Sequence, residues 1–186
     1  MKAESATLRF EPVAERHFPL LRRWLEMPHM REWWGEPEKE LGHIREMVAG
    51  RDTTLPFLIV LDEEPVGYIQ CWFIGHHQNT EWVDDNPWLT ELPAETVGVD
   101  LSIGDPEKLS KGIGTAALGA FVRKLLDEGH TTIIIDPDPR NTRAVRAYMK
   151  AGFRPIPHLE GRTGDSLIMQ YQTPAHEIQY DQFFAA

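Results

Sequence analysis

The spacing of apolar residues changes along this chain, and each change marks an element. Residues 8–13 (L-R-F-E-P-V) alternate apolar and polar, which predicts a first strand ending near the proline. Over residues 15–27, Phe18, Leu21, Trp24 and Leu25 recur at helical spacing, and Pro28 ends that helix. Residues 30–35 (M-R-E-W-W-G) read as a short aromatic segment. Pro37 suits the first turn of a second helix, which carries Leu41, Ile44, Met47 and Val48 to a stop at Gly50. Two apolar runs, 56–61 and 66–74, flank D-E-E-P and predict a strand, tight turn and strand.

A polar stretch over 76–93 follows, with acids at Glu81, Asp84, Asp85 and Glu91 and tryptophans at 82 and 88; a loop this long is expected to serve a function. Residues 96–104 (T-V-G-V-D-L-S-I-G) alternate again as a strand. Residues 114–126 place Ala117, Leu118, Phe121, Val122, Leu125 and Leu126 on one helical face, closed by Gly129. The β-branched run 131–135 has the character of a buried parallel strand. Asn141 caps a helix that Gly152 closes, and segments 153–157 and 166–171 form a last strand pair across G-R-T-G-D. The aromatic tail, H-E-I-Q-Y-D-Q-F-F, is expected to dock on the domain. The order β-α-α-β-β-β-α-β-α-β-β predicts a mixed α/β sheet with crossover helices in its second half, in one domain spanning 1–186.

Composition narrows the classes. A formal charge of -10 disfavours nucleic acid, whose phosphates need a basic face, and suits a cationic small molecule, although solubility alone accounts for many acidic proteins. No apolar run approaches the length of a membrane span, so no membrane partner is expected. The lone cysteine, Cys71, lies in an apolar run and reads as a core residue; a single cysteine fits a reducing compartment, and a cytoplasmic location is expected. His76-His77 and His176-Glu177 have no partner at metal-ligand spacing, so no metal is assigned. Monomer and homodimer both stay open.

Candidate chemistry begins at Lys108-Leu109-Ser110-Lys111-Gly112-Ile113-Gly114-Thr115, where glycines open a helix whose free N–H groups can bind phosphate, with Lys108 and Lys111 adding charge. G-I-G-T-A-A also matches the G-x-G-x-x-A of a dinucleotide site, and Asp136 follows about where that motif's acid would stand. Position argues against it: residues 105–111 separate the glycines from their strand, and the motif sits two-thirds along the chain. The second element is N-T-R-A-V-R-A-Y-M-K-A-G-F, residues 141–153.

Together, K-G-I-G-T and this second motif resemble the Gcn5-related N-acetyltransferase superfamily, and the order of elements fits most of that fold. R-E-W-W-G, P-V-G-Y-I-Q, V-G-V-D and D-P-D-P-R-N-T-R-A-V-R-A-Y-M-K-A-G-F resemble the aminoglycoside 6'-N-acetyltransferases within it. The resemblance implies a mostly antiparallel sheet with one parallel, splayed strand pair and helices on both faces. It implies acetyl-coenzyme A as cosubstrate, with its pyrophosphate on the amides of Gly112, Ile113, Gly114 and Thr115, near Lys108, Lys111 and Asn141. Its pantetheine arm would follow the strand holding Val99 and Leu101, where a backbone N–H polarises the thioester. Tyr148 matches the tyrosine that protonates the departing thiolate. Where the family usually has Gln or Arg three residues before the first glycine, this chain has Leu109, which puts one phosphate contact in doubt.

On the acceptor side the resemblance implies a small-molecule amine held by carboxylates, with Asp100 beside the reacting nitrogen, Asp136 and the lid acid Asp85 nearby, and Trp33 or Trp34 lining the pocket. Chemistry agrees for Asp100: an ammonium is no nucleophile, so a carboxylate must take its proton. Strand alternation sets Asp100 on the face opposite Val99 and Leu101. An acid that merely caps a strand end would look alike in sequence. Siderophore-pathway acyltransferases share D-P-x-x-x-N-T, and a non-catalytic acyl-CoA-binding module on the same fold is a further alternative.

Overall fold

The computed structural model of the protein describes residues 7–173; the aromatic tail lies outside them. Seven strands form one sheet in the order β1-β2-β3-β4-β5-β7-β6. They are β1 (Leu8–Pro12), β2 (Leu55–Leu61), β3 (Glu64–Phe73), β4 (Val97–Ile103), β5 (Ile133–Ile135), β6 (Phe153–Pro155) and β7 (Met169–Tyr171). Only β4 and β5 run parallel; every other neighbouring pair is antiparallel. The expected mixed sheet is therefore present, with β7 inserted between β5 and β6.

Among the described residues the α-helices are α1 (Phe18–Leu25), α2 (Pro28–Trp34), α3 (Pro37–Val48), α4 (Ile74–His77), α5 (Trp82–Asp85), α6 (Ile113–Asp127) and α7 (Thr142–Lys150). Two differ from expectation. Pro28 does not merely stop α1; its fixed φ starts α2, so the R-E-W-W segment is helical. Only Met30 is fully buried there, which is why no apolar stripe announces this helix. The polar stretch 76–93 is likewise not an open loop. It folds into α4, α5 and a 3-10 turn at Pro87–Glu91, and it buries Trp88, Leu89 and Leu92. The β2–β3 turn takes positive φ at both Asp62 (48°) and Glu63 (66°), the geometry whose twist matches a two-residue hairpin.

Side-chain alternation divides the core into three. On one face, Val97, Val99, Leu101 and Ile103 of β4 pack with Ala117, Leu118, Phe121 and Val122 of α6, and Cys71 joins them. On the other face, Leu58 and Tyr68 lie under α1–α3 with Leu21, Trp24 and Leu41. Farther along that same face, Trp72 and Ile134 pack with Trp88, Leu89, Ile156 and Ile168. The strand register explains the gap between the last two. Tyr68 pairs with Ser102, Gln70 with Asp100, and Trp72 with Gly98, which itself pairs with Ile134. The row of Gln70 and Asp100 is a polar furrow between two apolar patches.

Gly98 permits that packing: a Cβ there would lie 2.1 Å from the Trp72 ring. Gly98→Ala is expected to destabilise the fold by roughly 1–3 kcal/mol, read by chemical denaturation. An unchanged denaturation midpoint would show that the Trp72 ring moves aside at no cost.

Candidate active site

The parallel pair decides where a ligand can enter. The Val97 N–H donates to the Thr132 carbonyl on the β5 side, whereas the Gly104 N–H donates to the Val66 carbonyl on the β3 side, both at 3.0 Å. Backbone direction alternates along a strand, so the N–H groups of Val99 and Leu101 face β5. Registered pairing with β5 ends at Gly98 and Ile134, leaving the Leu101 amide turned into the gap. The Val99 side chain is buried in the core, so Val99 can contribute only its backbone. His29, at the start of α2, donates through Nε2 to the Ile103 carbonyl (2.8 Å), satisfying an acceptor that the gap would leave open.

A cleft of about 450 Å³ occupies this region, lined by Leu101, Gly112, Gly114, Thr115, Asn141 and Tyr148 among others. Gly112, the residue before α6, has φ 81° in the left-handed region, and no side chain caps the helix. The first N–H groups of α6 are thus free for an anion, as expected for Gly112 to Thr115. The lysines behave otherwise. Lys108 lines the cleft but pairs with Glu64 at 2.7 Å, and Lys111 is exposed and off the lining. Arg143, Arg146 and Lys150 line the same cleft from one stripe of α7, at i, i+3 and i+7. Sequence reasoning passed over them, although N-T-R-A-V-R-A-Y-M-K shows that spacing plainly. Asn141 lines the cleft while its Oδ1 caps α7 by accepting from the Ala144 N–H (3.2 Å).

A second cleft, about 300 Å³, adjoins the first across Leu101, Asn141 and Tyr148. It contains Trp33, Trp34, Gln70, Asp100 and Asp136, so the structure brings most of the expected acceptor residues together. Glu40 of α3 joins them, an acid that sequence reasoning did not single out because it falls among the solvent-facing positions of an amphipathic helix. Asp85 lies apart, exposed on α5 and absent from both linings, because the stretch carrying it packs through its own apolar residues. Of the other loop tryptophans, Trp88 is core, and Trp82 is 39% exposed with its ring edge-on to His77 and Trp72. Among the described residues no cluster of His, Cys, Asp or Glu could hold a metal, and no helix is long and apolar enough to cross a membrane.

Electrostatics separates the two aspartates. Continuing the Gly98–Ile134 register by two residues sets Asp100 toward Asp136, and the two carboxyls share one cleft where each alters the other's proton affinity. Burial raises both above the ordinary carboxylate value. For Asp100 this is opposed chiefly by the hydrogen bond from Gln70 Nε2 to Oδ2 (2.9 Å), with smaller help from Asp136 and Trp72. For Asp136 the charge of Asp100 adds to burial and pushes it well up. Burial and the neighbouring charge favour the proton on Asp136, while the Gln70 hydrogen bond favours the charge on Asp100. Burial first, and then both carboxylates, raise Tyr148, which remains a neutral donor at physiological pH.

Comparison with known proteins places this geometry. The profile of the acetyltransferase (GNAT) domain matches residues 13–160. Aminoglycoside N(6')-acetyltransferase type 1 of Klebsiella pneumoniae is 32% identical over 157 residues, covering 81% of this chain and 74% of the relative. A kanamycin resistance protein of Rhizobium radiobacter is 40% identical over 67 residues, 36% of this chain and 62% of that one. The solved structure of AAC(6')-Ib in complex with paromomycin and acetyl-CoA superposes with a TM-score of 0.75 at 28% identity, covering 95% of this chain and 98% of that one. The AAC(6')-Ib complex with coenzyme A and kanamycin superposes at 0.74, with 30% identity over 94% and 99%.

The carboxyl pair should leave a mark on stability. Below the ordinary value of 3.8, Asp136 is protonated folded or unfolded. As pH rises the unfolded chain ionises first, so stability drains away until pH passes the raised folded value. Asp136→Asn is expected to melt at a higher temperature than the wild type near pH 8, with the gap closing toward pH 4. Melting curves that keep a constant offset at all pH values would contradict this.

Proposed function

Because the chain belongs to the acetyltransferase (GNAT) family, we propose that it transfers the acetyl group of acetyl-coenzyme A to the 6'-amine of an aminoglycoside. The observation that carries this reading is the junction of the two clefts: Tyr148 and Leu101 stand between a helix N-terminus open to anions and a pocket lined by four acidic residues, Glu40, Asp100, Asp136 and Asp138. A polycationic sugar gains from a pocket whose ionisable side chains are acidic, whereas a neutral hydroxylamine acceptor of the siderophore type gains little.

The residues fit the donor. The open first turn of α6 and the α7 stripe of Arg143, Arg146 and Lys150 supply amides and charge for phosphates, the more so as Leu109 offers none and Lys108 is engaged by Glu64. Acetyl-coenzyme A supplies the acetyl group as a thioester, already activated toward a nitrogen nucleophile. The Leu101 N–H, turned into the gap, would donate to the carbonyl oxygen where negative charge develops. Asp100, ionised beside a protonated Asp136, would accept the ammonium proton and leave a neutral amine to attack. Tyr148 would give its proton to the departing sulfur as the carbon–sulfur bond breaks, and the second proton shed by the acylated nitrogen would, through solvent, restore the tyrosine. The two events assist each other: once Asp100 is neutralised, one of the charges that holds the Tyr148 proton back is gone. Trp33 and Trp34 would cover the acceptor, Trp34 being fixed edge-on against Tyr68 at 5.6 Å.

The test is release of free thiol from acetyl-coenzyme A with kanamycin and ribostamycin, against an analogue with a hydroxyl in place of the 6'-amine. Turnover with the amines and none with the hydroxyl analogue is expected; equal turnover would refute the assigned position. Tyr148→Phe is expected to lower kcat by roughly 10²–10⁴-fold with KM for acetyl-coenzyme A nearly unchanged. Unchanged turnover would remove Tyr148 from the reaction. Asp100→Asn is expected to be inactive at neutral pH. In the wild type kcat/KM should fall on acidification while pH is still above the ordinary carboxylate value of 3.8, because the folded Asp100 binds its proton early.

A further inference from the structure

Asp100 does not face the furrow alone. Gln70 lies directly opposite it on β3, and its Nε2 donates to Asp100 Oδ2 at 2.9 Å. The other end of the same amide is also held: the Tyr68 hydroxyl donates to Gln70 Oε1 at 2.6 Å. Tyr68 is 2% exposed, packed under α1–α3, and among the described residues its hydroxyl's other hydrogen-bond partner is the Met47 sulfur at 3.7 Å, a poor acceptor. A phenol has a single proton to give, so the short bond to Gln70 takes it. This fixes the orientation of the amide. Reversed, Gln70 would set its carbonyl oxygen against a carboxylate and leave the Tyr68 proton without an acceptor.

We propose that Gln70, locked by the buried Tyr68 hydroxyl, is a positioning residue that holds Asp100 as the ionised, amine-facing member of the Asp100–Asp136 pair. The proposal rests on the acetyltransferase reading for the role of Asp100, but the lock itself is a property of the free protein. Its logic is one of asymmetry. Two carboxyls in one furrow share a proton, and with equal surroundings either would carry it. An N–H donor fixed on Asp100 favours charge there, so the proton goes to Asp136. The other ionisable groups around Asp100 do not make this choice. Glu40 and Asp138 line the same cleft and Tyr148 stands across it, while Cys71 lies on the opposite face of β3, its thiol pushed up to about 11 by burial. Asp138 is neutralised by Arg140, and the rest are acids whose ionisation would only oppose charge on Asp100. Gln70 is the chief stabiliser of the anion, with Trp72 contributing less.

Carbon-13 NMR of aspartate-labelled free protein reads this directly, with the Asp100 signal assigned through Asp100→Asn. In Gln70→Leu the Asp100 midpoint is expected to move up by roughly one to two pH units, the loss of one hydrogen bond to a charged group. Tyr68→Phe, which removes only the hydroxyl, should give a smaller upward shift. Gln70→Glu, replacing donor by like charge, should give the largest. In thiol release, the acid limb of kcat/KM should shift in the same order, with KM for acetyl-coenzyme A unchanged. Midpoints equal to wild type in folded Gln70→Leu and Tyr68→Phe overturn the proposal. So does a fall in kcat without any shift of the limb, which would be a purely structural effect. Wild-type protein that releases no thiol with any aminoglycoside would instead overturn the acceptor assignment, and the NMR titration would still decide the lock.

Discussion

The molecule is organised by a pairing that stops. β4 and β5 share register only at Val97–Ile133 and Gly98–Ile134, and from there on β4 is bonded on one side alone. Unpaired strand edges in a protein interior are costly, so whatever lies beside them must be polar, mobile or a ligand. Here His29 meets one exposed carbonyl and the cleft takes the rest of the edge. The unpaired Leu101 amide, the helix N-terminus at Gly112 and the hydroxyl of Tyr148 then converge on one place without any of them being strained to reach it. Packing β4 against Phe121 and Val122 of α6 keeps the opening from collapsing.

On the other face the same opening continues as the furrow between two apolar patches. Its acidity follows from position. Gln70 and Asp100 occupy the one row where neither the α1–α3 layer nor the segment carrying Trp88 and Leu89 supplies apolar cover. A carboxylate there is partly dehydrated, which lifts its proton affinity into a useful range, yet it keeps access to a cationic ligand. Tyr148 belongs to both clefts, so its hydroxyl sits in the field of the furrow's carboxyls, which hold its proton more tightly.

Much of this was legible in the chain itself, and the reasons differ by residue. The strand ends V-G-V-D and I-I-I-D carry Asp100 and Asp136 at matching offsets, so one parallel register was enough to bring them together. Tyr148 and Asn141 could be read because a helix fixes their separation. Gly112 could be read because a left-handed turn admits little else. Glu40 and the Arg143 stripe were missed because a charged residue on a helix looks alike whether it faces water or a cleft. Asp85 was expected at the site from its acidic neighbours, but the stretch around it is held by Trp88, Leu89 and Leu92, contacts that local charge does not report. Gln70 escaped because its meaning lies in two partners, one two residues away in sequence and one thirty, and only pairing brings all three into line.

The division of the core has a consequence for how such a protein changes over generations. The two walls of the furrow belong to different packing units that touch the sheet but share no buried residues with one another, and the donor cleft rests on a third. A substitution in one wall costs stability mainly within its own unit, since distant, non-touching sites add rather than compound. Drift in acceptor shape can accumulate in α1–α3 or in the Trp88 segment while the acetyl-donor machinery inherits none of the damage. Such an architecture lets a lineage alter what it modifies without relearning how.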